Sequence, residues 1–494
     1  MKKSPKPGDM NQRMRAFFCN ATGAAVTEFF VADEVDVIVI GGGPAGENAA
    51  GRCAGGGLKV VLIERELVGG ECSYWGCIPS KTLIRPGDVL AAARRVPGAA
   101  EAVTGGLDIP AALARRDYMT NAWDDSGQLP WLDVNNIELV RGRARLVGER
   151  AVDVEANDGA ERCLTAKRAV VLATGTSAAI PPIEGLRDAN PWDNRAAVSA
   201  KEVPARLLVL GGGAIGTELA QAFRRLGSEE VTVIEGASRL LPREEPFASA
   251  ELRAAFEGDG IGVVTNGRVV AVRREGVDGP VRATLEDGRQ LSGDEILVAV
   301  GRRPSTYDLG LDAVGLEPGG YIEVDDRLRV VGVPGEWLYA VGDCNGRALF
   351  THMGKYQGRV AGDVILGRDA VDVADSGTVP RVTFSDPQVC AVGLTTAEAQ
   401  DAGGDVRVVT CPLGNVAGAY TMGERVTGTA QLVIDQQRHL VVGATFTGPG
   451  TQELLHAATV AIIGEVPVET LWHAVPSFPT LSEVWLHLLE AYGL

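Results

Sequence analysis

"VDVIVIGGGPAGENAAGRCAGGGLKVVLIER", Val35 to Arg65, decides the fold class because the chain states the same plan twice. An apolar run, Val35 to Ile40, leads into Gly41-x-Gly43-x-x-Gly46. A small-residue helix follows, then a second apolar run that ends in Glu64. "ARLLVLGGGAIGTELAQAFRRLGSEEVTVIEG", residues 205–236, repeats the order with Gly211-x-Gly213-x-x-Gly216 and Glu235. Each copy has a later strand closing on glycine, "AVVLATGT" at 169–176 and "EILVAVGRRP" at 295–304. Strand, glycine turn, helix and strand, given twice, predict two doubly wound α/β domains of the Rossmann type. Beyond about residue 375 the texture changes. Alternating runs such as "GTAQLVIDQQRHLVVGATFTG" predict antiparallel strands, and "TQELLHAATVAIIGE" and "LSEVWLHLLEAYG" predict helices, so an α+β domain closes the chain.

The glycine spacing carries chemistry. The first glycine allows the turn, the second lets a pyrophosphate touch the backbone, and the third lets the helix pack on the strand. The helix N-terminus then faces phosphate. Glu64 and Glu235 stand at the distance expected for a carboxylate that binds a ribose hydroxyl pair. Two such sites predict two dinucleotides that exchange electrons. Glu235 and Gly216 favour NAD(H) in the second, since a carboxylate repels a 2′-phosphate; Arg239, four residues on, keeps NADP(H) as the alternative.

Composition narrows the class. The 494 residues exceed one ordinary core, and 45% apolar with 22% charged is globular usage. The 63 glycines are near twice average usage, which fits many tight turns and close backbone approaches. A formal charge of −17 without a long basic run argues against nucleic acid and anionic membrane surfaces as partners. No apolar run reaches the roughly 18 residues of a membrane-spanning helix. Residues 1–33 match nothing globular and read as an extension; "MRAFFCNATGAAV" is a poor signal peptide because Asn20 breaks the apolar stretch. Eight cysteines do not make a disulfide scaffold. Cys19, Cys53, Cys163, Cys344, Cys390 and Cys411 are scattered and read as small apolar residues, and a cytoplasmic location is expected.

Cys72 and Cys77 differ from those six. They lie in "GGECSYWGCIPSK", residues 69–81, where no further Cys or His stands at zinc-like spacing, so no metal site is expected. With both fingerprints, C-x4-C-x-P-S-K, "ATG", "GRRP", "AVGD" and the late "PTLSE", the chain from about residue 34 onward resembles the pyridine nucleotide–disulfide oxidoreductases, the flavoproteins that include dihydrolipoamide dehydrogenase and mercuric reductase. The resemblance implies an FAD domain in two parts, 34–190 and 305–372, an NAD(P) domain at 191–304, and a dimerisation domain at 373–494. FAD would be held by Gly41, Gly43, Pro44, Ala45, Gly46, Glu64, Gly70, Thr174, Gly175, Gly342 and Asp343. NAD(H) would be held by Gly211, Gly213, Ile215, Gly216, Glu235, Gly301 and Arg302. Cys72 and Cys77 would be the redox-active disulfide, Cys77 on the flavin side and Cys72 facing substrate. Lys81 would sit by the flavin and pair with Glu218, and a cation there favours a neighbouring thiolate. His352 resembles a residue near the flavin, with a packing role as the alternative. A homodimer is implied, since the family completes its active site with "PTLSE" from the second subunit.

The chain also departs from the family. Thiol–disulfide exchange needs a group that protonates the leaving thiolate, and the family supplies it from His-Pro-Thr-x-x-Glu. Here the stretch is Phe478-Pro479-Thr480-Leu481-Ser482-Glu483, so the histidine position holds a ring that moves no proton. His473, five residues upstream, Glu71, where threonine is usual, and His487, a helical turn past Glu483, are the available substitutes. Mercuric reduction is disfavoured because the chain ends "LLEAYGL" without a cysteine pair. The leading expectation is an NAD(P)H-dependent FAD enzyme whose small-molecule acceptor is a quinone or similar electrophile. Disulfide or lipoamide reduction with a displaced base is the alternative, followed by transhydrogenation. A non-catalytic flavin sensor is the alternative of another class.

Overall fold

The computed structural model describes residues 33–277, 279–373 and 377–494. The expected extension, with Cys19 and the weak signal-like stretch, lies outside them apart from Asp33. The chain forms two compact units: residues 33–70, 125–176 and 304–372 in the first, residues 71–124, 177–303 and 373–494 in the second.

The first unit is built on a parallel layer in the order Ile137–Gly148, Val60–Glu64, Asp33–Ile40, Glu161–Leu172, Leu338–Ala340. Its central strands are continuous apolar runs because a parallel layer is covered on both faces. Val37, Ile38, Val39, Leu62, Val170, Val171 and Leu172 are all fully buried. The two 12-residue strands, Ile137–Gly148 and Glu161–Leu172, outrun the layer, and their free halves pair antiparallel with Ala151–Ala156. The helix Pro44–Gly55 lies against the helix Thr351–Ile365, and glycines permit the contact. A Cβ on Gly358 would meet the Ala45 carbonyl oxygen at 2.4 Å, and one on Gly362 the Arg52 Cβ at 2.6 Å.

Among the described residues, the second unit holds three sheets of three or more strands. A parallel layer runs Glu295–Val298, Arg206–Leu210, Glu230–Ile234, Ile261–Val264. Val269–Arg274, Val281–Leu285 and Gln290–Gly293 form an antiparallel sheet beside it in sequence. A five-stranded antiparallel sheet comes from the C-terminal residues, in the order Arg381–Thr383, Gln388–Gly393, Leu440–Gly448, Thr429–Asp435, Val406–Pro412. The helices Leu455–Ile463 and Val484–Tyr492 pack on that sheet around Phe446, Trp485 and Leu488. The expected class, two Rossmann-like layers and a C-terminal α+β part, is what the chain adopts. The segment 71–124 carries the cysteine helix, Cys77–Arg94, which packs against the helix Ala214–Arg225.

Candidate active site

The two glycine turns are superimposable in their contacts. Gly41 and Gly211 have φ of +107° and +111°, where a side chain is strained, and a Cβ on either would stand 2.4 Å from a carbonyl oxygen, of Ala173 or Ala299. A Cβ on Gly46 would lie 1.9 Å from the Gly41 oxygen, and one on Gly216 1.9 Å from the Gly211 oxygen. The middle glycines are different. A Cβ on Gly213 would meet nothing within 4 Å, and one on Gly43 only the Gly70 Cα at 3.9 Å. Space is thus left open at the residue meant to touch pyrophosphate, so each turn fits a dinucleotide.

The acids repeat as well. Glu64 accepts from the amides of Gly42 and Glu66 at 2.6 and 2.7 Å. Glu235 accepts from Gly212 and Ala237, both at 2.6 Å. Burial raises the Glu64 carboxyl above its usual value, although both amide bonds pull the other way. In the first unit Asp343 accepts from the Thr176 hydroxyl at 2.7 Å, while Thr174 and Gly175 sit against buried Cys344. Gly70 backs onto Gly43. His352 stacks on Phe350 with 5.4 Å between centroids. Motif reading missed Glu47, because the fingerprint is silent on the residue after its third glycine. Burial pushes this carboxyl up to about 7; Lys355 opposes the shift and Glu64 adds to it.

In the second unit the sulfurs of Cys72 and Cys77 lie 2.6 Å apart and both are half-buried. Cys72 sits in the short helix Gly70–Tyr74, and Cys77 opens the 18-residue helix after Gly76. Lys81, one turn on, donates to Glu218 Oε2 at 2.6 Å, and its ammonium lies 4.8 Å from the centre of the Phe384 ring. Glu218 is buried and its other oxygen accepts from the Phe384 amide at 2.9 Å, so the carboxylate is fixed on both sides. Among the described residues, Cys53, Cys344 and Cys390 offer no nucleophile of this kind. Burial pushes the thiols of Cys53, Cys344 and Cys390 up to about 12.

The nucleotide-side arginines are engaged within the protein. Arg302 donates to Asn194 Oδ1 at 3.1 Å and pairs with Glu71 at 3.4 Å. Arg239 donates to the carbonyls of Glu244 and Pro242 and to the Ser249 hydroxyl, at 2.6, 2.8 and 3.0 Å. Ile215 lies partly exposed in the first turn of its helix.

The C-terminal stretch does not assemble a base within the chain. Phe478 is 77% exposed. Glu483 Oε2 is buried with no hydrogen-bond partner. His473 is exposed and is not brought to Glu483. His487 pairs with Glu490 at 3.2 Å on the outer face of its helix. Glu71 is held by Arg195, Arg302 and Asn194. Among the described residues no cluster of three His, Cys, Asp or Glu could hold a metal ion, and no helix is long and apolar enough to cross a membrane.

The comparisons with known proteins decide the family. Residues 35–358 match the pyridine nucleotide-disulphide oxidoreductase family, and residues 379–489 match that family's dimerisation domain. The chain belongs to the pyridine nucleotide-disulphide oxidoreductases. It is 35% identical over 466 residues to a dihydrolipoyl dehydrogenase of Thermus scotoductus, covering 92% of this chain and 97% of that one. It is 32% identical over 454 residues to a mercuric reductase of Lysinibacillus sphaericus, covering 91% and 81%. Among solved structures it resembles LpdA of Mycobacterium tuberculosis at TM-score 0.83 and 28% identity, over 93% of this chain and all of that one. It resembles the HOCl-induced flavoprotein disulfide reductase RclA of Escherichia coli at TM-score 0.80 and 26% identity, over 92% and 99%. Like its family, the chain is an NAD(P)H-dependent flavoprotein oxidoreductase that uses FAD.

Proposed function

We propose that this flavoprotein oxidises NADH and delivers the electrons to a quinone or similar small electrophile. FAD, when bound, supplies the two-electron relay. Gly41, Gly43, Gly46, Glu64, Thr174, Gly175 and Asp343 hold it, and Gly211, Gly213, Gly216 and Glu235 hold the nicotinamide dinucleotide. Glu235 supports NADH over NADPH, and so does the engagement of Arg239 away from any 2′-phosphate. Cys72 and Cys77 form the redox couple, with the Lys81–Glu218 pair beside it. A cytoplasmic homodimer completes the reading.

One observation carries the choice of acceptor. In the sequence, Phe478 takes the position of the histidine in the family's His-Pro-Thr-x-x-Glu motif, and within the chain neither His473 nor Glu71 is placed beside Glu483. A quinone accepts electrons without thiol acid–base exchange, whereas lipoamide needs the leaving thiolate protonated. The experiment is a steady-state comparison of quinone and lipoamide reduction in the parent and in Phe478→His. The variant is expected to gain about tenfold or more in lipoamide turnover with quinone turnover unchanged, since one positioned acid–base group contributes roughly 10²–10⁴ in rate. Equal effects on both acceptors would overturn the assignment.

A further inference from the structure

Glu71 is the residue the family pattern leaves unexplained, and the structure gives it three partners. Its Oε2 takes the Arg195 Nε and Nη2 at 2.8 and 2.7 Å. Its Oε1 accepts from Asn194 Nδ2 at 2.7 Å and lies 3.4 Å from Arg302. All three partners come from residues 191–304, the nucleotide-binding segment, and the carboxylate immediately precedes Cys72.

The same partners hold the peptide between the cysteines. Asn194, itself buried, donates to the Trp75 carbonyl at 2.8 Å and accepts from Arg302 at 3.1 Å. The Arg195 guanidinium stacks on the Trp75 ring at 4.1 Å. Trp123 donates its indole N–H to the Tyr74 carbonyl at 3.0 Å. The loop needs this support, since Gly76 at φ −124°, ψ −108° belongs to neither a helix nor a strand. A Cβ on Gly76 would also press on the Glu71 carbonyl oxygen at 3.1 Å.

The charge count matters as much as the shape. One carboxylate meets two guanidiniums, so the cluster carries one net positive charge. Around the loop, Lys81 pairs with Glu218, Asp117 pairs with both Arg116 and Lys201, and the Asp193 side chain accepts from the amide of Ala196. Reduction of the cysteine pair by NADH gives NAD⁺, one thiolate and one thiol, with the hydride's proton ending on one sulfur. A net cation beside the pair favours the thiolate.

We propose that Glu71, clamped by Arg195, Arg302 and Asn194, is a positioning residue that ties the cysteine loop to the nucleotide-binding segment and sets how readily its thiolate forms. The proposal rests on the reading of Cys72 and Cys77 as a redox couple. It predicts shifts of opposite sign. Glu71→Gln keeps the side chain's size and one accepting oxygen but leaves two cations unmatched; Arg195→Met removes one cation.

The test is iodoacetamide alkylation of the holoprotein, reduced anaerobically with dithiothreitol, between pH 5 and 9, with the modified cysteine located by peptide mass spectrometry. In Glu71→Gln the pH midpoint is expected to fall by about 0.5–1 unit, and in Arg195→Met to rise by about as much, for a charge a few ångströms away in a half-buried site. The double variant should return close to the parent. A loop that has merely lost its support would move both single variants the same way, and that result, or no shift in either, overturns the proposal. If Glu71→Gln fails to fold, Arg195→Met and Arg302→Met must each still raise the midpoint. If dithiothreitol exposes no alkylatable Cys72 or Cys77 in the parent, the redox-couple reading itself is wrong.

Discussion

Gly213 and Gly216 belong to one fingerprint yet do different work, and single methyl groups tell them apart. A methyl on Gly216 would overlap the Gly211 carbonyl oxygen at 1.9 Å, so Gly216→Ala is expected to lower the unfolding temperature by several degrees. A methyl on Gly213 enters open space, so Gly213→Ala should leave that temperature near the parent's; if this glycine faces the pyrophosphate, as proposed, it should raise the KM for NADH at least tenfold. Calorimetry and NADH titration of the two variants check this; equal loss of stability in both would remove the distinction. Lys81 is the second residue whose role is narrow. With Glu218 fixed by the Phe384 amide, Lys81→Met leaves a buried carboxylate without its cation. The expected result is a stability loss of about 3 kcal/mol or more, with weaker long-wave thiolate-to-flavin absorbance on adding NADH.

Between elements, one arginine does the joining. Arg225, on the helix Ala214–Arg225, reaches Asp88 on the cysteine helix at 3.1 Å, Asp259 beyond the helix Pro246–Gly258 at 3.2 Å, and Asp386 before the strand Gln388–Gly393 at 2.9 Å. Arg225→Met would leave Asp88 and Asp259 without this partner, and Asp386 with Arg95 alone at 3.4 Å. A loss of about 3–5 kcal/mol is expected from denaturant melts. The cluster also gives a pH signature. Burial pushes the Asp88 carboxyl up to about 6 from 3.8, although Arg225 opposes it. The folded chain therefore keeps a proton that the unfolded chain gives up. This stabilisation is full below pH 3.8 and is lost as pH rises to about 6. Asp88→Asn should flatten that part of the stability–pH curve; an unchanged slope would assign it to other groups.

At the scale of the molecule, the C-terminal part presents apolar groups to solvent in a single chain. Val475 is 83% exposed, Phe478 77%, Ile463 57% and Val460 54%. Exposed apolar groups on a domain of the dimerisation type are expected to be covered by a second copy. Sedimentation should give twice the chain mass at micromolar concentration. Ile463→Glu should shift the protein towards monomer and reduce turnover while FAD stays bound.

The sequence by itself determined the fold class and the cofactor turns, because those depend on local pattern. Apolar runs of strand length, glycines at fixed spacing and an acid at the end of the second strand are all short-range, and steric exclusion at Gly41, Gly46, Gly211 and Gly216 enforces them wherever the chain goes. The cysteine spacing and the presence of Phe478 before Pro479-Thr480 were equally legible, since each is a matter of which residue stands at a position. Tertiary structure alone decided what depends on long-range pairing. Glu71 read as one possible substitute for the missing base; the fold ties it to Arg195 and Arg302, more than 120 residues away in the chain. Arg302, expected as a nucleotide ligand, donates to Asn194 and pairs with Glu71, contacts that no spacing announces. Glu47 drew no notice until burial raised its pKa. A side chain's charge state and partners are set by what the fold packs around it, and no spacing in the sequence encodes that.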